Sequence, residues 1–556
     1  MHNPNNQGQL RLPSIKDRVG FQVDTLTIAE LDLTKRGKQL FPQLLKDYLS
    51  GDSSLEAYYQ YPPNINSFSA AITNKSKEVI NRSVLAEVIK KQYSDIDDAP
   101  SNISLLTDAN TFTVTTGHQL CLFTGPLYLC YKLLTVINLT EQLKQQFPDK
   151  NFVPLYWMAS EDHDFEEVNH FHLFGKKVTW EAEAGNAVGR MSVDGVSDVI
   201  TALKEQLQSD ESAIRVLSTF ESAYSNQENL ANATRALVHG LFGHYGLVVL
   251  DADDAALKKS FVKVMKAEVE GQDSMHAMNR AYTALSKSYK LPVKSRDINL
   301  FYLHDDKRSR LEIGEGDKVN VVDTDISFEK NECLQMIESN PENFSPNVVL
   351  RPLYQEMVLP NLAYIGGPSE IAYWLELKGI FDANEVSFPV LMPRNSLLIL
   401  GTGEKKRMDQ FELSKTDLFS DPDEQVKSIV SQLSKDELSI ATEREEISAI
   451  YDKLVTQAKA VDASLERSVK ADAARALAQL DKLEKKLAKA AKKTNQTTIN
   501  QVNKLFESIF PVGVFQERYE SLFSQLIRYD FGIIDEMKEC IEPFDSSLKI
   551  LSEVKG

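Results

Sequence analysis

The chain has 556 residues, 42% of them hydrophobic and 26% charged, which calls for roughly two or three cores rather than one. Its formal net charge of -18 excludes a nucleic-acid partner, because a phosphate backbone needs a basic surface, but leaves room for a local basic pocket that takes a small acidic molecule. No apolar run approaches the roughly 18 residues that cross a bilayer, and the N-terminal MHNPNNQGQLRLPS lacks the apolar centre of a signal peptide. Cys121, Cys130, Cys333 and Cys540 form neither a disulfide framework nor a zinc-ligand spacing. A cytoplasmic protein with no membrane partner is expected.

Residues 1–110 read as an irregular start followed by helices, one of them amphipathic over 83–94, with Tyr58, Tyr59 and Tyr61 as packing aromatics beside Pro62 and Pro63. The first strong unit begins at Thr111. TFTVTT is a β-rich run that ends in Gly117-His118-Gln119. After Thr124-Gly125-Pro126 a helix fits from Leu127 to about Gln146, with the proline near its first turn. FVPLYWM is a second buried strand, followed at once by ASEDHDFEE. Strand, long helix and strand make a crossover between parallel neighbours. Further strands are GLVVLDADD (Gly246–Asp254), the start of NLAYIGGPSEIAYW (Asn361–Trp374) and FPVLMPRNS (Phe388–Ser396). The pattern is an α/β fold with an open, mostly parallel sheet over 1–420 and an inserted subdomain over about 255–350.

From Asp423 to Phe510 there is neither Gly nor Pro, and between 447 and 490 apolar or small residues recur about every 3.6 positions. This predicts a coiled coil within 421–510. A helix of roughly 60 residues reaches about 90 Å, so its stripe needs a partner. Either the segment after Asn495 folds back on it or a second subunit makes a homodimer. Residues 511–556 are expected to pack back on the core.

Polar clusters fall at the predicted strand ends, where open parallel sheets bind ligands. Gly117 and Gly125 permit close backbone approach to an anion, with Tyr128 and Lys132 one helical turn apart behind them. Glu161, Asp162, His163 and Asp164 can hold an amine or move a proton, and are the expected catalytic group. Asp251 and Asp253 end another strand. Gly366-Gly367 precede Pro368, with Glu370 in a helix's first turn and Tyr373-Trp374 beyond it. Arg351 and Arg394 suit a carboxylate or phosphate, which arginine grips with two parallel bonds. His170 and His172 share one face of a strand as ordinary polar positions, and Cys121 is a buried thiol rather than a nucleophile.

TTGHQLCLFTGPLYLCYK, PLYWMASEDHDFEEVNH, RPLYQEMVLPNLAYIGGPSEIAYW, FPVLMPRNS and the late LFESIFPVGVFQER (Leu505–Arg518) follow one another across essentially the whole chain. In these blocks the sequence resembles the family of bacillithiol biosynthesis cysteine-adding enzymes, also described as cysteine ligases. It departs from the family pattern at His118, Phe123 and Ser369, where Gln, Leu and Gly are more usual. The resemblance implies a Rossmann-like core with connecting-peptide-type insertions and a C-terminal coiled coil that dimerises. It also implies nucleotide binding, and the substrates L-cysteine and glucosaminyl-malate, joined as an amide in the last step of the pathway.

Activating a free carboxylate at neutral pH needs an energy source, and ATP would supply it through an acyl-adenylate or acyl-phosphate. Gly117, Gly125, Gly366 and Gly367 would cradle its phosphates. His118, Gln119, Tyr128, Lys132, Arg351, Tyr364, Glu370, Tyr373, Trp374 and Arg394 make the expected substrate site, and no metal is expected. Two other readings fit the residues: a class-I-like nucleotidyltransferase acting on another small acid, and a dimeric nucleotide-binding scaffold. Carboxylates gathered at strand ends favour an enzyme over a scaffold.

Overall fold

The structure is a computed structural model that describes residues 20–183, 187–208, 210–304, 307–433 and 440–554. The irregular start and signal-peptide reading of the first residues fall on 1–19, outside the described residues. The chain divides into two units. One comprises the N-terminal residues to Ile28, Gln39–Ile399 and everything from Val514 onward; the other comprises Ala29–Lys38 and Leu400–Gly513.

The first unit is built on five strands: β1 (Thr111–His118), β2 (Asn151–Met158), β3 (Val248–Asp251), β4 (Asn361–Gly366) and β5 (Val390–Pro393). All neighbours are parallel, in the spatial order β5-β4-β1-β2-β3. Taken from β3, that is the 3-2-1-4-5 order of a Rossmann-type sheet. β4 and β5 are buried throughout, as expected of strands covered on both faces. The threonines of β1 are tolerated inside because their hydroxyls find acceptors. Thr113 and Thr115 donate to Asn361 Oδ1 at 3.1 and 2.9 Å, and Thr116 donates to the Ile365 carbonyl at 2.7 Å.

Helix α1 (Tyr128–Gln146) carries the chain from β1 to β2. Helix α2 (Arg351–Val358) leads into β4, and α3 (Pro368–Ala383) joins β4 to β5. Strand order therefore reverses between β1 and β4, where the crossovers depart to opposite sides and leave a crevice beyond the strand ends. Between β3 and β4 lies the inserted segment. It holds the helices Val262–Gly271 and Asp273–Leu285 and an antiparallel sheet in the order Ser327–Glu329, Lys318–Val321, Lys307–Ile313, Leu300–His304, Phe344–Pro346.

A third sheet is absent from the sequence reading, which gave the N-terminal region helices alone. Phe21–Leu26 pairs antiparallel with Leu548–Glu553, which also neighbours Ser396–Leu400. Strands from both chain ends complete each other here, a long-range pairing that local propensity does not register. The tail is further fixed by Asn138 of α1, whose amide donates to the carbonyls of Lys538 and Ile541 at 2.8 and 2.7 Å.

The second unit corrects the single long helix. The periodic stretch is two helices, α4 (Ala441–Val461) and α5 (Leu465–Thr494), followed by α6 (Gln496–Ile509). Asp462 leaves the helix for an extended conformation (φ -156°, ψ 122°), and its carboxylate accepts the Ser464 N–H at 2.8 Å. Aspartate competes with helical bonding through such local side-chain contacts. Ion pairs of Arg444 with Asp481 and of Lys459 with Glu466 (3.5 Å) set α4 antiparallel to α5. The stripe thus pairs first with its own second half. No helix among the described residues is long and apolar enough to cross a membrane, and all four cysteines are free thiols.

Inside α3, Glu376 is fully buried and neither carboxyl oxygen has a hydrogen-bond partner among the described residues. Burial pushes its carboxyl up to about 8, from an ordinary 4.5. The folded protein therefore holds it neutral, and the stability this group contributes is complete below about pH 4.5 and lost as the pH rises through 8. Urea denaturation of Glu376→Met against the parent at pH 4.5 and pH 8.5 should show the variant gaining about 1–3 kcal/mol relative to the parent at the higher pH. An equal difference at both pH values would mean that the carboxyl does not titrate in this window.

Candidate active site

A cavity of about 730 Å³ opens beyond the carboxyl ends of β1 and β4, at the reversal of strand order. Gly117, His118 and Gln119 reach it from the end of β1, and Tyr128 and Lys132 from the first turns of α1. The loop after β2 contributes Asp162 and His163, α2 contributes Arg351 at its first position, and the β4–α3 turn contributes Gly367 and Glu370. Tyr364, Tyr373, Trp374 and Arg394 complete the expected part of the lining.

Lys132 and Glu370 tie the two sides together. Lys132 Nζ lies 2.5 Å from Glu370 Oε2 and donates to the Gly117 carbonyl at 2.8 Å. Glu370 also accepts the Gly367 N–H at 2.7 Å and the Tyr364 hydroxyl at 2.9 Å. Burial pulls the Lys132 ammonium down against the opposing pull of Glu370. Burial alone would push Glu370 up, but Lys132, the Gly367 N–H and the Tyr364 hydroxyl together hold the carboxyl below its usual range. Tyr364 stacks on Trp374 with ring centroids 4.2 Å apart, so this wall is closed on itself.

Asp162 is the hub of the opposite wall. It accepts the Gln119 amide at 2.9 Å and the His163 N–H at 2.8 Å, with Arg351 at 3.6 Å and Arg308 at 3.8 Å. Burial works against its charge, but the His163 N–H, Arg351 and Arg308 together hold it well below the usual carboxylate range.

The cavity's two histidines have opposite polarity. Arg308 Nη1 lies 3.0 Å from His163 Nδ1, and a guanidinium only donates, so Nδ1 is the bare nitrogen and Nε2 carries the proton. Asp162 Oδ1, at 3.5 Å from Nδ1, is too distant to compete. Arg308 is fixed by Ser345 Oγ and the Pro346 carbonyl, both at 3.2 Å, and lies 3.7 Å above the Phe301 ring. Burial and Arg351 pull it down to about 10, which leaves it charged at neutral pH. In His118, by contrast, Nδ1 donates to the Gln119 carbonyl at 2.8 Å, and Nε2 is left as an acceptor. Burial first, then Lys132, lowers this imidazole to about 4.

Several expected site residues lie elsewhere or are already committed. Glu161 is outside the cavity, paired with Lys258 at 2.7 Å; the same ammonium meets Asp253 at 2.8 Å, and Arg190 meets Asp253 at 2.6 Å. The first carboxylate of the cluster thus anchors the start of the inserted segment. Asp251 is likewise engaged, with the Ser160 hydroxyl. Asp164 is exposed at the head of the short helix Phe165–Val168 and does not line the cavity. Gly125 is a turn residue (φ +59°) pressed on Cys121, where a Cβ would come within 2.4 Å of the cysteine's own. Gly366 packs against Ile371 and Glu370, and the N–H of Gly367 is already taken by Glu370. These glycines therefore shape turns rather than cradle an anion. Arg394 lines the cavity with its Nη atoms forked on Glu517 at 2.9 and 2.6 Å.

The sequence reading missed the cations of the insert. Lys294, Arg296, Arg308 and Arg310 line the cavity, as does Arg518 from the late GVFQER block. Arg308 and Arg310 alternate on one strand, so a period-two pattern could have placed both on one face. In all, eight Lys or Arg side chains line the cavity against Asp162, Glu167 and Glu370.

Residues 26–395 match the N-terminal Rossmann-like domain of bacillithiol biosynthesis BshC, and residues 397–553 match its C-terminal coiled-coil domain. The chain belongs to the BshC family of bacillithiol biosynthesis. A protein of Flavobacterium johnsoniae named "Putative cysteine ligase BshC" is 41% identical over 92% of this chain and 97% of its own. Proteins of the same name from Cytophaga hutchinsonii (40% identical over 91% of this chain and 95% of its own) and Salinibacter ruber (30%, 92% and 96%) are similar throughout as well.

The assigned ring protons have a direct check in this BshC-family chain. Heteronuclear NMR of the imidazole nitrogens at pH 7 should show His163 as the Nε2–H tautomer and His118 as the Nδ1–H tautomer. His118 should not titrate until the pH falls toward about 4. Arg308→Ala should release His163 to exchange between tautomers. A His163 proton resident on Nδ1 in the parent protein would contradict the Arg308 contact.

Proposed function

We propose that the protein is a ligase that joins the carboxyl of L-cysteine to the amine of glucosaminyl-malate, forming an amide in bacillithiol biosynthesis in the reducing cytoplasm. The observation that carries this reading is the charge of the cavity. A chain of net charge -18 gathers eight cations against three carboxylates around one crevice at the reversal of strand order. Such a site selects an acidic small molecule and concentrates it by its field. The malate end of the acceptor brings two carboxylates. Arg351, at the first position of α2 with 19% of its side chain exposed, is placed to receive such an anion.

His118 Nε2, an acceptor at neutral pH, orients the attacking amine through one of its hydrogens. The basicity of this imidazole is too low for it to hold the proton, so the proton leaves to solvent or to another group. His163 Nε2–H faces the reaction as a fixed donor that stabilises charge building on the carbonyl oxygen. Asp162 keeps Gln119, His163, Arg308 and Arg351 in register. ATP, when bound, would supply the activation of the cysteine carboxylate. Its phosphates would be held by Arg296 and Arg310 of the lining rather than by the glycine turns.

The α4–α5 hairpin supports a homodimer. Ile450, Leu454, Val461 and Leu465 remain 54%, 42%, 83% and 43% exposed along its stripe, and a second copy of the same hairpin would cover them.

Incubation with L-cysteine, glucosaminyl-malate, ATP and magnesium should yield the amide by mass spectrometry, and omission of ATP should abolish it. Arg351→Ala should raise KM for the acceptor by about tenfold or more while KM for cysteine changes little. Absence of product under every condition would remove the ligase reading. In sedimentation velocity the protein should be a dimer at micromolar concentration, and the double change Leu454→Glu, Val461→Glu should yield a folded monomer. A parent protein that is already monomeric would remove the dimer.

A further inference from the structure

A second, smaller pocket of about 300 Å³ adjoins the cationic cavity. The two share His118, Gln119, Tyr128, Glu167 and Arg518 as a common wall. Behind that wall the small pocket is closed by Cys121, Pro126, Tyr519 and the strand His170–Leu173, whose two histidines face it. At the bottom of the size range of ligand sites, it takes one small molecule and not a nucleotide.

Its charge differs sharply from that of its neighbour. One carboxylate, Glu167, and one guanidinium, Arg518, line it, against the eight cations next door. Burial lowers the imidazoles of His170 and His172, and that of His118 to about 4, so all three are neutral at pH 7. Burial pushes the Cys121 thiol up to about 12, so it is neutral as well. A polyanion gains nothing here, whereas a zwitterion meets one group of each sign.

The polar atoms are unspent. No ion pair or hydrogen bond among the described residues engages the Arg518 guanidinium. The Glu167 carboxylate receives a single long bond, from Gln119 Nε2 at 3.4 Å. Gln119 uses that same nitrogen on Asp162, at the shorter distance of 2.9 Å. A carboxylate with no ion-pair partner among the described residues suits an ammonium group. The rest of the pocket is soft. His172 stacks on Tyr519 with centroids 3.8 Å apart, and Phe171, Pro126 and the Cys121 sulfur offer surface for a short side chain that is polarizable and uncharged.

We propose that this small pocket is the amino-acid subsite. It holds free cysteine as the zwitterion, the ammonium on Glu167 and the carboxylate turned to Arg518 at the shared wall, while the anionic acceptor occupies the large cavity. Charge sorts the two substrates into two compartments, and they meet across His118 and Tyr128. The assignment of cysteine rests on the ligase reading; that of a zwitterion rests on the pocket.

The test measures binding to the full-length protein without turnover, by calorimetry, with L-cysteine, L-alanine and L-malate as separate probes. Glu167→Gln should weaken cysteine about tenfold or more, and His170→Trp, which fills the pocket, should do the same. Neither should weaken malate binding by more than about twofold, and thermal melting identifies any variant that fails to fold. Arg351→Ala should show the reverse pattern. Unchanged cysteine affinity in folded Glu167→Gln, or displacement of cysteine by malate, overturns the subsite, even if amide product still forms and the ligase reading stands. Equal, Glu167-dependent binding of alanine and cysteine with no product supports the subsite and defeats the ligase reading instead. A parent protein that binds neither amino acid overturns the proposal.

Discussion

Lys132 reaches from the helix after β1 to Glu370 in the helix after β4, across the one place where a parallel sheet cannot close itself. The pair also grips the Gly117 carbonyl, the Gly367 N–H and the Tyr364 hydroxyl, so both strand ends and both helix starts are fixed by two side chains. Removing one member of such a buried pair leaves a charge uncompensated, at a cost of about 3–5 kcal/mol. That is a large share of the stability of an ordinary domain. The crevice keeps its shape because the groups that could collapse into it are held apart by bonds to one another.

The wall facing this pair has the opposite logic. There positive charge is concentrated rather than neutralised, with Asp162 as the carboxylate nearest Arg308 and Arg351. Arg308, Arg310, Arg296 and Lys294 come from the insert between β3 and β4, and Arg351 from the helix that returns to the sheet. The doubly wound core supplies the crevice, and the insert supplies four of its eight cations. This arrangement explains how so acidic a chain presents a strongly cationic cavity.

The strand ends were legible in the sequence as β-branched and aromatic runs that stop at polar clusters, and so was the helical period of the C-terminal third. Most residues singled out there do converge: His118, Gln119, Tyr128, Lys132, Asp162, His163, Arg351 and Glu370 share one cavity. Spacing could not tell Asp162 from its neighbour Glu161. One turns to the cavity and the other to Lys258, a choice made by residues nearly a hundred positions away. Nor could periodicity show that Asp462 folds the long helix on itself, since a single cap outweighs the propensity of its surroundings only once the second helix has a surface to pack against.

What the sequence by itself determined is local: which segments are strands or helices, which ends are polar, and the family to which those blocks belong. What only the tertiary structure decided is relational. It placed β4 beside β1, which makes the crevice. It joined the first strand to the last, which returns Glu517 to Arg394 and Arg518 to the cavity. It also set the proton on each histidine, through Arg308 in one case and a backbone carbonyl in the other. Local propensity acts over a few residues, whereas charge and hydrogen bonding act over a few ångströms, and only folding converts one distance into the other.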